Sequence, residues 1–316
     1  MAVLSQKKPT TVFEKLNDET WRRKFLRNVV IPWIFIAPLL LIHIYVVAIP
    51  AVQGVYMSLT DWKGVGMNVN YVGLENYREL FFEDETFGKA LGNNVAWMIF
   101  FLTVPFIMAL FCATQLAQVK RGGMLYRSIL FIPYVLASVV TTTIWKNLLN
   151  PQKGIGAAMD NILGLENTFG VAYLGRPESA LMSIAFIDNW HFWGFLMILF
   201  LAAMQSIPPV LYDAAKIDGA NRWQEFRHVT LPGIRPILVF MFMMVAIWSF
   251  LAFDYIFLLT QGGPGGASEV IATQLYKNAF FRFQAGYGAA QGVVISIFAG
   301  FIILIFVTVK RRGWDI

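Results

Sequence analysis

The chain has 316 residues, 57% hydrophobic and 14% charged, with a net charge of +6. Average soluble domains are ~45–50% apolar and ~25% charged, so this composition excludes an ordinary soluble domain and points to helices buried in lipid. The basic residues lie at the ends of apolar runs rather than in one stripe, which argues against nucleic acid; the single cysteine, Cys112, excludes an intrachain disulfide or a CxxC metal site.

Residues 1–28 form a charged tail, expected to be partly helical, with no function assigned beyond orientation. Six apolar segments then follow near 29–55, 91–117, 127–149, 181–205, 237–259 and 288–309. Each is long enough to cross ~30 Å of hydrocarbon at about 1.5 Å per residue. The expectation is an all-α membrane protein with six transmembrane helices. The first run starts near residue 29, is long, and has no small-residue cleavage site before a soluble domain, so it reads as a span and not a signal peptide. Pro32, Pro38 and Pro50 predict that it is kinked or broken near its ends.

Between the first two spans, residues 58–90 are mixed polar and aromatic, with turns expected at Gly64, Gly66 and Gly73. Residues 260–287 open with TQGGPGGASE, which reads as a flexible loop able to move with its flanking helices. Seventeen of the twenty-five basic residues fall on the side that holds both termini and residues 206–236. They include Lys7, Lys8, Lys15 and Arg22 before the first span, Lys120 after the second, and Lys310 and Arg312 after the sixth. By the positive-inside rule both termini and the 206–236 insert are expected to be cytoplasmic.

That insert is the most informative stretch. LYDAAKIDGANRWQEFRHVTLPGIRP, residues 211–236, is polar and helix-breaking between two apolar runs. Ala214, Ala215, Gly219 and Ala220 supply a small-residue face; Asp213, Lys216, Asp218, Arg222 and Glu225 a charged one. Leu231-Pro232 and Pro236 are expected to stop it sharply. A small-residue face admits close approach of another surface, so a 211–222 helix reads as a docking element, against the plainer reading of an amphipathic connector.

The insert also resembles the EAA loop of binding-protein-dependent ABC importer permeases, in Asp213-Ala214-Ala215, Asp218-Gly219-Ala220, Phe226, Leu231-Pro232 and Pro236. The family usually has Glu at the first acidic position, so Asp213 is a departure that keeps the charge on a shorter side chain. Val72-Gly73-Leu74 with Asn76-Tyr77, and Gly262-Gly263-Pro264, resemble the carbohydrate-uptake branch, of the maltose, glycerol-3-phosphate and multiple-sugar permease type. The likeness runs over about residues 35–312. It implies a type I importer permease fold, with a first helix and extracytoplasmic segment over 29–90, a core over 91–309 carrying the coupling loop 206–236, and a cytoplasmic tail over 310–316. It also implies a second permease subunit as heterodimer partner, two ATP-binding subunits that use ATP and Mg, an extracytoplasmic solute-binding protein, and residence in a bacterial or archaeal plasma membrane. No cofactor is expected in this chain.

Chemistry of its own is not expected either. Gly88-Lys89 lacks a P-loop's upstream glycine, and His43, His191 and His228 lie on separate segments without metal spacing. Polar residues at membrane depth are the remaining signal, because a carboxylate in hydrocarbon costs at least ~3 kcal/mol unless it faces a cavity or partner. Asp188, His191, Phe192 and Phe195 share one helix face by spacing. Trp248, Ser249 and Ala252 reach a similar depth on the fifth span, since Ser249 stands about 18 Å from its inner end. Rings beside hydrogen-bonding groups suit a sugar, whose C–H faces stack while its hydroxyls take polar partners. The resemblance implies the same lining and adds Val245. The plainer readings stay open: Asp188 pairs with a neighbour or sits at the interface, His191 is a packing residue, and the aromatics face lipid. Asp254 is read as interfacial.

The reading is a membrane permease that moves a sugar or polyol delivered by a binding protein and driven by partner ATPases. The rivals are an osmolyte or glycerol-phosphodiester cargo, and an ion-coupled carrier in which Asp188 and His191 relay protons.

Overall fold

The computed structural model describes residues 23–311 except 67–68, 120 and 166–167. Lys7, Lys8, Lys15, Arg22, Lys120 and Arg312 therefore lie outside the described residues, as does most of the charged N-terminal tail. Among those described, the protein is all helix apart from turns and one isolated bridge, Thr60 to Tyr71.

The helices run in chain order as α1 Arg23–Met57, α2 Glu75–Arg78, α3 Glu85–Ala117, α4 Gly123–Val135, α5 Ser138–Leu148 and α6 Ile155–Leu163. There follow α7 Pro177–Gln205, α8 Pro209–Ile217, α9 Arg222–Glu225, α10 Arg235–Phe250, α11 Asp254–Leu259, α12 Ile271–Tyr276 and α13 Ala285–Arg311. Five stretches are long and apolar enough to cross a membrane: α1, α3, α7, α10 with α11, and α13. The chain divides into two compact units, Met1–Tyr56 and Met57–Ile316.

The first unit is α1, apolar on all sides, as suits a helix in lipid. The expected break near its prolines does not occur: the helix is continuous through Pro32, Pro38 and Pro50. Wide π-helical turns at Leu26–Val30 and Ile44–Ala48 precede Ile31-Pro32 and Ile49-Pro50. The wider turn makes room for a proline ring that would strike the carbonyl four residues back. Phe226–Thr230 repeats the device before Leu231-Pro232, so the chain runs helically past that proline too and stops at Ile234.

In the second unit α7 packs along α3 more extensively than on any other helix, with α4 and α10 beside them. Trp97, Phe101 and Phe106 of α3 meet Ile184, Leu196, Met197 and Phe200 of α7 and Met241 of α10 in one buried cluster. A second cluster joins Leu80 and Phe87 to Phe250, Ile271 and Val294. Gly194 is needed where α7 crosses α4, because a Cβ there would collide with the Leu130 carbonyl.

The expected single span over 127–149 is instead two helices, α4 and α5, bent by 95° at Leu136-Ala137. Pro133 removes one backbone donor, and Leu136 and Ala137 are extended, with ψ of 137° and 144°. Irregular backbone at membrane depth persists only where protein buries it or a cavity hydrates it.

The 260–270 loop also differs from expectation. It is tied down, not loose: Thr260 and Ser268 hydroxyls lie 2.8 Å apart, and Ser268 Oγ donates to the Gly263 carbonyl at 2.5 Å. Asn93 Nδ2 donates to the carbonyls of Ala267 and Glu269 at 3.1 and 2.7 Å. Glu269, 5% exposed, pairs with Lys277, whose ammonium also donates to the Gln261 carbonyl. A buried carboxylate without such partners would be costly, so the ion pair fixes the loop. The expected turns at Gly64, Gly66 and Gly73 are present, all three at positive φ.

Candidate functional site: a membrane-depth cavity and a docking loop

The cavity forms where two irregularities meet one unbroken helix. The α4–α5 break offers Tyr134, the unbroken α7 offers Asp188, His191 and Phe192, and the gap between α10 and α11 offers Leu251, Ala252 and Phe253. Trp97 of α3, Trp248, Asp254, Tyr255 and Ile256 complete a cavity of about 310 Å³. Its aromatic wall is continuous: Trp97 stacks on Phe101 at 5.0 Å, Phe101 meets Phe192 at 5.9 Å, and Phe192 meets Trp248 edge-on at 6.1 Å.

Of the eight residues expected from sequence, Asp188, His191, Phe192, Trp248 and Ala252 line the cavity and three do not. Phe195 lies flat on Tyr134, ring centroids 4.7 Å apart, and so supports the wall from behind. Val245 is buried in the α3–α7–α10 core. Ser249, 2% exposed, turns its hydroxyl back to the Val245 carbonyl at 2.8 Å, while its own carbonyl accepts from Asn94. Equal depth on a helix does not fix which way a side chain turns. Ser249 sits on the far side from Trp248 because successive helical positions lie about 100° apart.

His191 has a structural partner as well. Its Nε2 lies 3.2 Å from the Leu136 carbonyl, at the break between α4 and α5, and donates to it in the tautomer protonated at Nε2. Asp254, read from sequence as interfacial, is exposed and lines the same cavity as Asp188. Sequence reasoning missed Trp97, Tyr134 and Tyr255, which come from other segments. Only the Pro133-Tyr134 pair carried a hint, since a proline in a span marks a place where backbone polar groups need partners.

At the end of the bundle that carries residues 206–236, the docking helix is shorter than expected. It is α8, Pro209–Ile217, not 211–222. Gly219 at φ +77° ends it, and the Ala220 amide returns to the Ala215 carbonyl at 2.9 Å, closing the C-terminus as a left-handed glycine cap does. Asn221 then starts α9 with a capping box to Gln224. Asp213, Ala214, Asp218, Gly219, Arg222 and Pro232 are exposed; Ala215, Ala220, Phe226 and Leu231 are half-buried. Asp213 pairs with Lys216 at 3.7 Å on the open surface, a contact worth little. Tyr212 Oη and Thr230 Oγ1, 3.0 Å apart, tie α8 to the turn that leads into α10. Ile217, 86% exposed, and Trp223, 65% exposed, add an apolar component that the sequence reading had given to small and charged residues alone.

The chain matches the family described as "Binding-protein-dependent transport system inner membrane component" over residues 95–313. It is 33% identical over 273 residues to the probable ABC transporter permease protein YurN of Bacillus subtilis, covering 86% of this chain and 92% of that one. It is 32% identical over 285 residues to the diacetylchitobiose uptake system permease protein NgcF of Streptomyces coelicolor, covering 86% of this chain and 80% of that one. Its fold is similar to a chain in the crystal structure of a bacterial ABC transporter involved in import of the acidic polysaccharide alginate. That match has a TM-score of 0.82 at 23% identity and covers 94% of this chain and 100% of the other. With two thirds of its length matched, the chain belongs to the family of binding-protein-dependent transport system inner membrane components, the ABC importer permease subunits that are not themselves enzymes.

Proposed function

We propose that this chain is the permease subunit of a carbohydrate importer and that the cavity between α7, α10 and α11 is its sugar site. The observation that carries this reading is the cavity itself: rings from Trp97, Phe192 and Trp248 beside the polar groups of Asp188, Asp254 and His191. Sugars bind in that way, C–H faces on rings and hydroxyls on polar groups. The relative named for diacetylchitobiose uptake supports the same cargo class.

The cavity is held in a heterodimer with a second permease, two ATPase subunits that use ATP and Mg, and a solute-binding protein outside the membrane. Both termini and the 206–236 loop face the cytoplasm, which the distribution of basic residues supports. One ATPase takes α8 in a surface cleft, with Asp213, Asp218 and Arg222 as polar anchors and Ile217 as an apolar one. ATPase closure pulls α8, and the Tyr212–Thr230 contact passes the pull to the foot of α10. The Leu251–Phe253 interruption then lets α10 and α11 change angle around the site, so the gates exchange while the ligand stays. The ion-coupled rival finds less support, because His191 commits one ring nitrogen to holding the Leu136 carbonyl. A phosphodiester cargo would meet two carboxylates and no lysine or arginine among the lining residues.

The test is ATPase activity and sugar uptake in vesicles containing this chain with its partner subunits, with and without binding protein. Turnover that rises only with sugar-loaded binding protein bears the proposal out. Uptake by this chain alone, down an ion gradient and without ATP, overturns it.

A further inference from the structure

The composition of the cavity wall selects among sugars. Two carboxyl groups, Asp188 and Asp254, line it, and no lysine or arginine does among the described residues. His191, the one histidine among the described lining residues, has its Nε2 3.2 Å from the Leu136 carbonyl. Asp188 stands on α7, whereas Asp254 is the first residue of α11, where the chain resumes its helix after the Leu251–Phe253 interruption. Two separate elements thus bring a carboxyl group each to one space.

Tyr255 is 8% exposed and lines the cavity, with its hydroxyl close to that of Thr141. The remaining wall is aromatic, with Trp97, Tyr134, Phe192 and Trp248 presenting rings. Ring faces carry negative electrostatic potential and attract an ammonium group, most strongly when water is excluded.

Two carboxyl groups with no lysine or arginine among the described lining residues, and a set of ring faces, are together a receptor for a cation that also has hydroxyls and apolar C–H faces. An anionic sugar is disfavoured by both carboxylates, and a neutral one leaves them without a counter-charge. We propose that the cavity is selective for an amino sugar carrying a protonated amine, held by Asp188 and Asp254, with the sugar ring against Trp248 and Phe192. This rests on the reading of the cavity as a sugar site.

The experiment is calorimetric titration of the full chain, with its partner subunits in lipid nanodiscs at pH 6, with three disaccharides of one linkage. These are a glucosamine disaccharide with free amines, its N,N′-diacetyl form, and the parent glucose disaccharide; tetramethylammonium is a fourth probe. The expected result is at least about tenfold tighter binding of the free-amine disaccharide, ~1.4 kcal/mol. That preference should shrink in Asp254→Asn and Asp188→Asn. In the unmodified protein it should also shrink as the pH is raised to 9 and the amine loses its proton. Equal or tighter binding of the neutral sugars overturns selectivity for the amine and leaves the sugar site standing. Binding of tetramethylammonium with none of the three sugars overturns the sugar site itself, as does the absence of binding by every probe.

Discussion

At the scale of single residues, His191 has two jobs that depend on one another. It lines the cavity and satisfies the carbonyl exposed by the α4–α5 break. His191→Phe would keep the ring against Tyr134 and orphan the Leu136 carbonyl. A lost hydrogen bond costs about 0.5–1.5 kcal/mol, so we expect a lower melting temperature in detergent. A melt equal to wild type would show that the break needs no partner. Asp84 is a comparable fixed point outside the membrane-spanning helices. One carboxylate oxygen caps α3 through the amides of Thr86 and Phe87, at 2.8 and 3.1 Å. The other accepts from Gln274 Nε2 and Tyr287 Oη at 2.8 and 2.7 Å. Burial pushes its pKa up, and these hydrogen bonds outweigh burial and hold it below the ordinary carboxylate value. A depressed folded-state pKa contributes stability above the unfolded value of about 3.9 and loses it as pH falls through the folded value. Thermal stability should therefore drop on acidification below about pH 4. Asp84→Asn should be less stable at neutral pH and show a flatter acid limb; parallel pH profiles would remove Asp84 from that role.

At the scale of elements, α8 is a short lever with a defined end. Gly219 is exposed at φ +77°, and a Cβ there would meet nothing within 4 Å. Gly219→Asp should consequently fold, because Asp is among the few side chains that tolerate the left-handed region. It places a new carboxylate on the surface assigned to the ATPase. Uptake in vesicles should fall about tenfold or more, ~1.4 kcal/mol of lost coupling, while membrane insertion stays normal. Retained uptake would count against docking at that face. The three prolines that follow π-helical turns carry an element-scale lesson. Pro32, Pro50 and Pro232 read in the sequence as breaks, but a one-residue widening of the preceding turn absorbs each of them. Pro133 has no such turn before it, and there the helix ends at Val135, two residues later, although Pro38 and Pro105 are passed without one.

At the scale of the whole molecule, function depends on irregular backbone packed against regular helices. The cavity opens at the α4–α5 bend and the α10–α11 interruption, both set against the unbroken α7. Trp248, 39% exposed, belongs to the cavity wall more than to the core. Trp248→Ala should lower sugar uptake in vesicles without loosening assembly with the ATPase subunits. Unchanged uptake kinetics would take the residue out of the site. The 260–270 loop is held as one piece by its own hydrogen bonds and is anchored to α3 through Asn93.

The sequence by itself determined that this is an all-α membrane protein, that its polar insert lies between the fourth and fifth spans, and that Asp188, His191, Phe192, Trp248 and Ala252 share a depth. Length, hydropathy and spacing are local properties, and a membrane leaves them few ways to be satisfied. Only the tertiary structure decided that Ser249 and Val245 turn into the core, that Asp254 joins Asp188, and that Trp97, Tyr134 and Tyr255 complete the wall. It also decided that the third span is a bent pair and that α8 stops at Ile217. Those outcomes depend on which distant backbone group needs a partner: the Leu136 carbonyl finds His191, 55 residues later in the chain, and the Ser249 carbonyl finds Asn94, 155 residues earlier. No local pattern in the sequence records such pairings, because they exist only after the helices have packed.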